Sequence, residues 1–169
     1  PNTVAHVCRE LEALGIQPQK LGGGVTACIG KPGGKVFLLR GDMDALEMPE
    51  ESGLPFASTC GRAHTCGHDI HTTMLLGAAR LLKAHEGELP GQVKLMFQPG
   101  EENLQGASAM VKAGILQNPQ VDAALALHVF PGDCCLGTVM WRQGPALASS
   151  DSFKITVTGK AGHGAIPQN

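Results

Sequence analysis

The chain lacks the excess of basic charge that nucleic-acid-binding proteins carry. Its 13 lysines and arginines stand against 15 aspartates and glutamates, which gives a formal net charge of −2. Long hydrophobic runs are also missing, since a stretch such as residues 36–39 is far too short to cross a bilayer. With 43% hydrophobic and 17% charged residues among 169, the composition is ordinary for an α/β protein. We therefore expect a soluble protein that acts on a small molecule, with no nucleic-acid or membrane partner.

The six cysteines lack the regular spacing of a disulfide framework, and no signal peptide precedes them. Free thiols in a reducing cytoplasm are the expectation. The chain also lacks an initiator methionine, and it stops at Asn169 directly after an apolar segment that predicts a new strand. Both ends are therefore expected to be cut from a longer protein.

Hydrophobic periodicity predicts alternating helices and strands. Helices are expected at 3–14, 74–82 and 107–113, and strands at 25–29, 36–39, 93–97, 121–129 and 151–158. Continuous apolar runs such as 93–97 are typical of parallel strands that are buried on both faces. The glycine clusters at 22–24 and 33–34 lack the spacing of phosphate-binding loops and predict hairpin turns.

Three imidazoles, a thiol and a carboxylate fall within residues 64–71. A thiolate two positions from an imidazole can aim both side chains at one ion, so Cys66 and His68 predict a metal site. The alternative is a polar loop in which one histidine caps a helix. That alternative accounts for His71 but leaves Cys66 and His68 without a role.

Titratable residues also lie at or beyond the ends of three of the predicted strands: Asp42 and Asp44, Glu101 and Glu102, and His128. Singly, each has an ordinary explanation as a helix cap, a solvated face or a core histidine. Ligands of open α/β sheets, however, bind outside the carboxyl ends of the strands. Together with the neighbouring thiol and imidazole, these residues predict one site whose mixed soft and hard donors suit Zn, Mn, Co or Ni better than Mg or Ca.

The adjacent Glu101 and Glu102 predict hydrolysis as well as binding. Neighbouring side chains in an extended loop point in different directions, so one carboxylate can hold metal while the other acts as general base. A divalent ion lowers the pKa of its water from about 15.7 to about 7. The base can take the remaining proton and pass it to a departing amine, and amide hydrolysis needs both transfers.

Five motifs, in order along the chain, closely resemble the amidohydrolase branch of the aminoacylase/carboxypeptidase family of two-metal peptidases. That branch contains hippurate hydrolases, indole-acetyl-amino-acid hydrolases and N-acetyl-diaminopimelate deacetylases. The motifs are Asp42-Met43-Asp44-Ala45-Leu46, His64-x-Cys66-Gly67-His68-Asp69-x-His71, Phe97-Gln98-Pro99-x-Glu101-Glu102, Leu127-His128-Val129 and Gly159-Lys160-x-Gly162-His163-Gly164-Ala165-x-Pro167. They are highly specific to the family and weakly specific for substrate.

The resemblance implies a role for each site residue. Four residues match the ligands of two divalent ions, Zn or Mn with Co or Ni as further candidates: Cys66, His68, Glu102 and His128. Cys66 matches the bridge between the ions, and Glu101 matches the general base. Asp42 and Asp44 match groups that orient the ligands. The implied activity is hydrolysis of the amide bond of N-acyl amino acids, hippurate-like or related conjugates.

The resemblance also implies an α/β fold, a three-layer, phosphorylase/hydrolase-like catalytic domain with a mostly parallel central sheet, of which residues 1–149 form the N-terminal part. Residues 150–169 match the first strand and turn of an inserted ferredoxin-like lid. His163 matches a lid histidine that reaches across a homodimer to stabilise the tetrahedral oxyanion; a turn histidine between glycines is the alternative. Family members run to more than twice this length and usually have Pro-His where this chain has Pro167-Gln168.

Two other functions compete with this interpretation. In a cysteine hydrolase, Cys66 would be the nucleophile and His64 its base, which leaves Glu101 and Glu102 without a role. Alternatively, a metal-binding fragment would hold ions without turnover. The integrin-type tripeptide at residues 40–42 is discounted because it leaves a buried strand toward the predicted metal site.

Overall fold

The computed structural model describes residues 2–132, 135–149, 151–166 and 168. The chain divides into two compact units, Pro1–Phe130 and Pro131–Asn169. The first unit contains all the helices and strands found among the described residues: α1 (Asn2–Ala13), β1 (Gln19–Leu21), β2 (Gly24–Gly30), β3 (Val36–Asp42), α2 (His68–Ala84), a 3₁₀ turn (Glu86–Glu88), β4 (Gln92–Gln98), α3 (Gly106–Lys112) and β5 (Ala123–Ala126). No helix in this described part has both the length and the hydropathy that crossing a bilayer requires.

The five strands form one sheet in the order β1-β2-β4-β3-β5. Strands β4, β3 and β5 run parallel, whereas β2 pairs antiparallel with both β4 and β1. The α/β class is confirmed, but the sheet is mixed rather than mostly parallel. The antiparallel pairing of β1 with β2 follows from the two-residue turn at Gly22 and Gly23, both of which have positive φ and reverse the chain.

The second glycine pair, at residues 33–34, does not make the predicted hairpin. It connects β2 to β3, and β4 lies between those two strands in the sheet. This connection therefore crosses the end of β4, where a side chain on Gly34 would come within 2.2 Å of the Pro90 carbonyl oxygen. Glycine is needed there for the close approach of two backbones rather than for a hairpin.

Helices cover both faces of the sheet and make three layers. Helices α1 and α2 pack on one face in a cluster that includes Val7, Leu11, Leu75, Ala79, Ile29, Leu95 and Phe97. The other face packs on α3 and the segment after it through Leu38, Met96, Met110 and Ile115. Side chains alternate along β4, because Leu95 and Phe97 join the first cluster and Met96 joins the second. Packing on both faces of the sheet thus fixes the orientation of the strands and the position of their ends.

Strand β5 is shorter than the predicted 121–129. It pairs with β3 only from Ala123 to Ala126, and all four residues are exposed. His128 consequently lies in the loop after the strand rather than within it. The start of β5 is fixed by Asp122, which accepts hydrogen bonds from the Val36 N–H at 2.8 Å and from Lys35 Nζ at 2.7 Å.

The second unit has turns but no helix or strand among its described residues. The strand predicted at 151–158 is therefore wrong for this structure. Alternating apolar residues suit a strand, but a strand needs a hydrogen-bonding partner, and no described segment pairs with this one. Phe153, Ile155 and Val157 remain exposed. The assignment of residues 150–169 to a lid, and the boundary at 149, stay predictions.

Candidate metal centre

The predicted site residues of the first unit meet at one edge of the sheet. Asp42 ends β3, Glu101 follows β4, and His128 follows β5, and these three strands are parallel. Their carboxyl ends therefore point the same way. The turn carrying Cys66 leads directly into α2, whose first residue is His68.

Three overlapping groups of side chains are close enough to hold ions, and His68 belongs to all three. Within each group, one ligand atom from every residue lies within 4.8 Å of the others. The groups are Cys66, His68 and His128; His68, Glu101 and Glu102; and Asp42, His68 and His71. A thiol, two imidazoles and two carboxylates thus surround one small volume, a donor set suited to Zn-type or Mn-type ions.

His68 is buried, and its two ring nitrogens have different surroundings. Nδ1 lies 3.0 Å from the Asp44 carbonyl oxygen, which can only accept, so Nδ1 carries the hydrogen. Nε2 is left with a lone pair and has no hydrogen-bond partner among the residues that the structure describes. It lies 3.7 Å from Asp42, 3.8 Å from Glu102 and 3.9 Å from Glu101. A buried unsatisfied nitrogen facing carboxylates is the arrangement that a metal ligand requires, and the residues present fit a divalent ion.

His128 repeats this pattern on the other side. Its Nδ1 lies 2.5 Å from the Val129 carbonyl oxygen, so Nδ1 donates and Nε2 keeps a lone pair. That Nε2 lies 3.5 Å from Cys66 Sγ. The backbone thereby sets the tautomer that leaves Nε2 free to bind metal.

The thiol of Cys66 is not activated as a nucleophile. Burial first, and then the charges of Glu102 and Glu101, raise the pKa of the Cys66 thiol above its ordinary value. A cysteine nucleophile needs the opposite shift, and the imidazole to which Cys66 is hydrogen-bonded is that of His128 rather than that of the proposed base His64. The cysteine-hydrolase alternative therefore loses its support. A bound cation would instead displace the proton and balance the negative charge.

Asp42 and Asp44 act on different parts of the site. The carbonyl of Asp44 fixes His68, and its carboxylate accepts the Glu102 N–H at 3.1 Å. Asp42 is buried and accepts from His71 Nδ1 at 2.6 Å. Burial would raise the pKa of Asp42, but the hydrogen bond from His71 and the charge of Arg40 outweigh it and hold that pKa below its ordinary value.

Two residues of this network have no predicted role in the site. Arg40 was discounted with the tripeptide, yet it pairs with Asp42 at 2.8 Å. His71 was explained only by the alternative of a polar loop in which one histidine caps a helix, yet it is buried within α2. The available signal was the position of Arg40, two residues before Asp42 on one strand, which places both side chains on the same face. No comparable signal identifies the partner of His71.

The predicted residue His163 lies in the second unit, within a turn. Its carbonyl accepts the Ile166 N–H at 2.9 Å, and its Nδ1 accepts the Ala165 N–H at 3.2 Å. This is the local geometry of a turn histidine between glycines. Pro167, the last residue of its motif, lies outside the described residues.

A cleft of about 1010 Å³ adjoins the centre within the first unit. Asp44, His64 and Pro99 border it on the side of the site residues, and Met48 and Phe56 contribute apolar surface. Clefts of this size, mostly apolar with a few polar groups, are typical of small-molecule sites. The centre therefore has a neighbouring space in which an organic substrate can lie.

Comparison with known proteins adds the family to this geometry. Peptidase family M20/M25/M40 matches residues 38–162. The chain belongs to this family. It is 48% identical to IAA-amino acid hydrolase ILR1-like 4 of Arabidopsis thaliana over 164 residues, which are 95% of this chain and 36% of that protein. It is 44% identical to N-acetyl-L-cysteine deacetylase of Bacillus subtilis over 171 residues, which are 99% of this chain and 40% of that protein.

A solved structure agrees with the fold. The Bacillus subtilis YXEP protein, a dinuclear metal-binding peptidase from the M20 family, superposes with a TM-score of 0.72 at 39% identity, covering 77% of this chain and 37% of that protein. The family and the α/β catalytic fold predicted from the motifs are thus confirmed. The chain spans about two fifths of the length of these relatives.

Proposed function

We propose that this chain carries the metal centre of an amidohydrolase that cleaves the amide bond of N-acyl amino acids. The observation that carries the proposal is the buried Nε2 of His68, which has no hydrogen-bond partner in the described part of the chain. This nitrogen lies within 4 Å of Glu101 and Glu102, and His68 shares a second ligand group with Cys66 and His128. Four side chains would hold two divalent ions, Zn or Mn with Co or Ni as further candidates: Cys66, His68, Glu102 and His128. Cys66 would bridge the ions.

The carboxylates have separate tasks. When bound, the ions supply Lewis acidity toward the amide carbonyl and a lowered pKa for water. Glu102 is bound through its N–H to Asp44, which fixes it as a ligand. The Glu101 side chain is 37% exposed and lies 3.9 Å from His68 Nε2, so it can contact both solvent and the site. It takes a proton from the attacking water and delivers it to the leaving nitrogen.

The substrate class follows from two relatives and from the cleft. The names of an IAA-amino acid hydrolase and an N-acetyl-L-cysteine deacetylase point to one kind of substrate, an amino acid acylated on nitrogen. Met43, Met48 and Phe56 in the cleft favour an apolar or aromatic acyl group, as in hippurate-like conjugates. A homodimer through the lid, with His163 stabilising the oxyanion, and a cytoplasmic location complete the proposal.

The test uses the complete protein and this 169-residue chain side by side. N-benzoyl, N-acetyl and indole-acetyl amino acids are offered after chelation and after reloading with Zn or Mn. The complete protein should lose turnover on chelation and regain it with metal, and the shorter chain should show almost none. Turnover that survives chelation would overturn the proposal. Stoichiometric metal without turnover in the complete protein would favour the non-enzymatic alternative.

A further inference from the structure

We propose that His71 is a positioning residue that ties the loop of His128 to the end of β3. His71 is the one histidine of segment 64–71 that is buried with both ring nitrogens hydrogen-bonded among the described residues. Its Nδ1 lies 2.6 Å from Asp42 Oδ1, and its Nε2 lies 2.9 Å from the Val129 backbone nitrogen. The inference rests on the proposed function, because it takes His128 to be a metal ligand.

The two bonds fix the state of the ring. The Val129 nitrogen can only donate, so Nε2 of His71 must be the acceptor and carry no hydrogen. The hydrogen is then on Nδ1 and points at the Asp42 carboxylate. The ring is neutral, and neither nitrogen has a lone pair to spare for a metal. His71 is thus excluded as a ligand, although it lies within 4.8 Å of ligand atoms of His68 and Asp42.

The bond to Val129 acts where the sheet no longer supports the chain. Pairing between β5 and β3 ends at Ala126, two residues before His128. Val129 follows directly, and its carbonyl accepts from His128 Nδ1, so one peptide segment holds both the ligand's tautomer and its position. The rings of His71 and His128 are also in edge contact, with centroids 4.4 Å apart.

A second contact, with the turn at Gly67, also positions Val129. A side chain on Gly67 would meet Val129 Cγ2 at 2.4 Å, so Val129 packs directly on the turn between Cys66 and His68. Gly67 has a φ of 83°, which also favours glycine. The His128 loop is therefore fixed by one hydrogen bond to α2 and one packing contact to the turn that carries two other proposed ligands.

The other end of the tether, Asp42, has further contacts. Its second carboxylate oxygen forms an ion pair with Arg40 at 2.8 Å. Its backbone carbonyl accepts from Thr72 Oγ1 at 2.9 Å. A side chain on Gly41 would come within 3.0 Å of the His71 carbonyl, so the strand and helix approach closely at this point. His71 therefore connects a fixed carboxylate to an otherwise weakly supported ligand loop.

Two amide substitutions separate the two bonds of His71. In His71→Asn, the side-chain nitrogen takes the place of Nδ1 and can donate to Asp42, but the side chain is too short to reach Val129. In His71→Gln, the amide oxygen reaches the place of Nε2 and can accept from Val129. Outer hydrogen-bonding partners of metal ligands typically contribute about 10–100-fold in affinity. We expect a loss of that size for His71→Asn and near wild-type affinity for His71→Gln.

Metal affinity is measured by competition with a chromophoric chelator, and the Co²⁺ absorption spectrum reports the ligand geometry. A purely structural role would lower the thermal stability of both metal-free variants without separating their affinities, and equal affinities in Asn and Gln would overturn the proposal. If His128→Ala binds metal as the wild type does, the ligand set of the proposed function fails instead.

A measurement on the unsubstituted chain covers the case in which a variant does not fold. In ¹⁵N-histidine spectra, His71 should show the neutral Nδ1–H tautomer before and after Zn addition, whereas the Nε2 signals of His68 and His128 should shift. A Zn-induced shift at His71 Nε2, or a protonated Nε2 there without metal, would overturn the assignment.

Discussion

At the scale of single residues, the thiol of Cys66 decides whether the centre binds metal as proposed. Loss of an outer hydrogen-bonding partner of a metal ligand typically lowers metal affinity by about 10–100-fold. We expect Cys66→Ser to weaken Zn or Mn binding by more than that, because a serine hydroxyl stays protonated and is a poor ligand. Calorimetry on the wild type and on Cys66→Ser measures the change in metal affinity. Cys60→Ser is the matched control, since Cys60 has an exposed thiol whose Sγ is hydrogen-bonded to Ser58 Oγ at 3.2 Å. Unchanged affinity in Cys66→Ser would remove the thiol from the ligand set.

The neighbouring carboxylates predict a different separation. Glu101→Gln should retain metal in the complete protein yet lose about 10²–10⁴-fold in kcat, because an amide cannot accept the proton from water. Glu102→Gln is the paired variant, and its primary effect should be the loss of bound metal. Metal content and turnover are measured on the same samples. Full activity in Glu101→Gln would mean that another group is the base.

Residue types and spacing predicted the ligand set better than they predicted its support. Cys66 and His68 lie two residues apart in one segment, so their joint action is readable from the sequence. The contact of His71 with Val129 spans 58 positions and depends on which ring nitrogen carries hydrogen. Neither fact is encoded in a local pattern. Arg40 was missed because its role depends on the burial of its partner Asp42, and the sequence shows burial only indirectly.

At the scale of elements, hydrophobic runs predicted the strands whose partners lie in the core and failed for the others. Strand β4 was predicted closely because five of its seven residues are buried. Strand β1 was missed because its Gln19 and Lys20 are exposed and polar. Residues 151–158 have the pattern of a strand but pair with no described segment. Apolar periodicity reports a face that could be buried, and pairing depends on a partner elsewhere in the chain.

The start of β5 gives a prediction that depends on pH. Hydrogen bonds from Lys35 and the Val36 N–H lower the pKa of Asp122 below its usual 3.8. A lowered pKa in the folded state contributes stability above pH 3.8, and that contribution is lost as the pH falls through the lowered value. Wild-type protein should therefore be more stable than Asp122→Asn at pH 7, and the difference should disappear in acid.

Urea unfolding of both proteins at several pH values between 2 and 7 measures this difference. Glu12→Gln, which removes an exposed carboxylate on α1, serves as the control for the loss of one surface charge. A stability difference between wild type and Asp122→Asn that stays constant down to pH 2 would mean that the bonds to Asp122 do not depend on its charge.

At the scale of the whole molecule, the chain covers about two fifths of the length of its relatives and leaves apolar surface exposed. On β5 and the loop after it, Leu125 and Leu127 are each 49% exposed. Strand β5 is also an edge strand, because among the described residues it pairs only with β3. Uncovered edges and apolar patches of this kind favour pairing with another chain. The 169-residue chain by itself is therefore expected to self-associate.

Sedimentation velocity over a range of concentrations tests this expectation. The mass should rise with concentration for the wild-type chain, and Leu125→Lys should reduce the rise, since a charged residue on an edge strand opposes intermolecular pairing. Leu81→Lys is the matched control, because Leu81 is 68% exposed on α2, away from the sheet edge. A monomer at all concentrations would show that the β5 edge does not drive association. Equal rescue by both lysine variants would attribute association to general apolar exposure rather than to the strand.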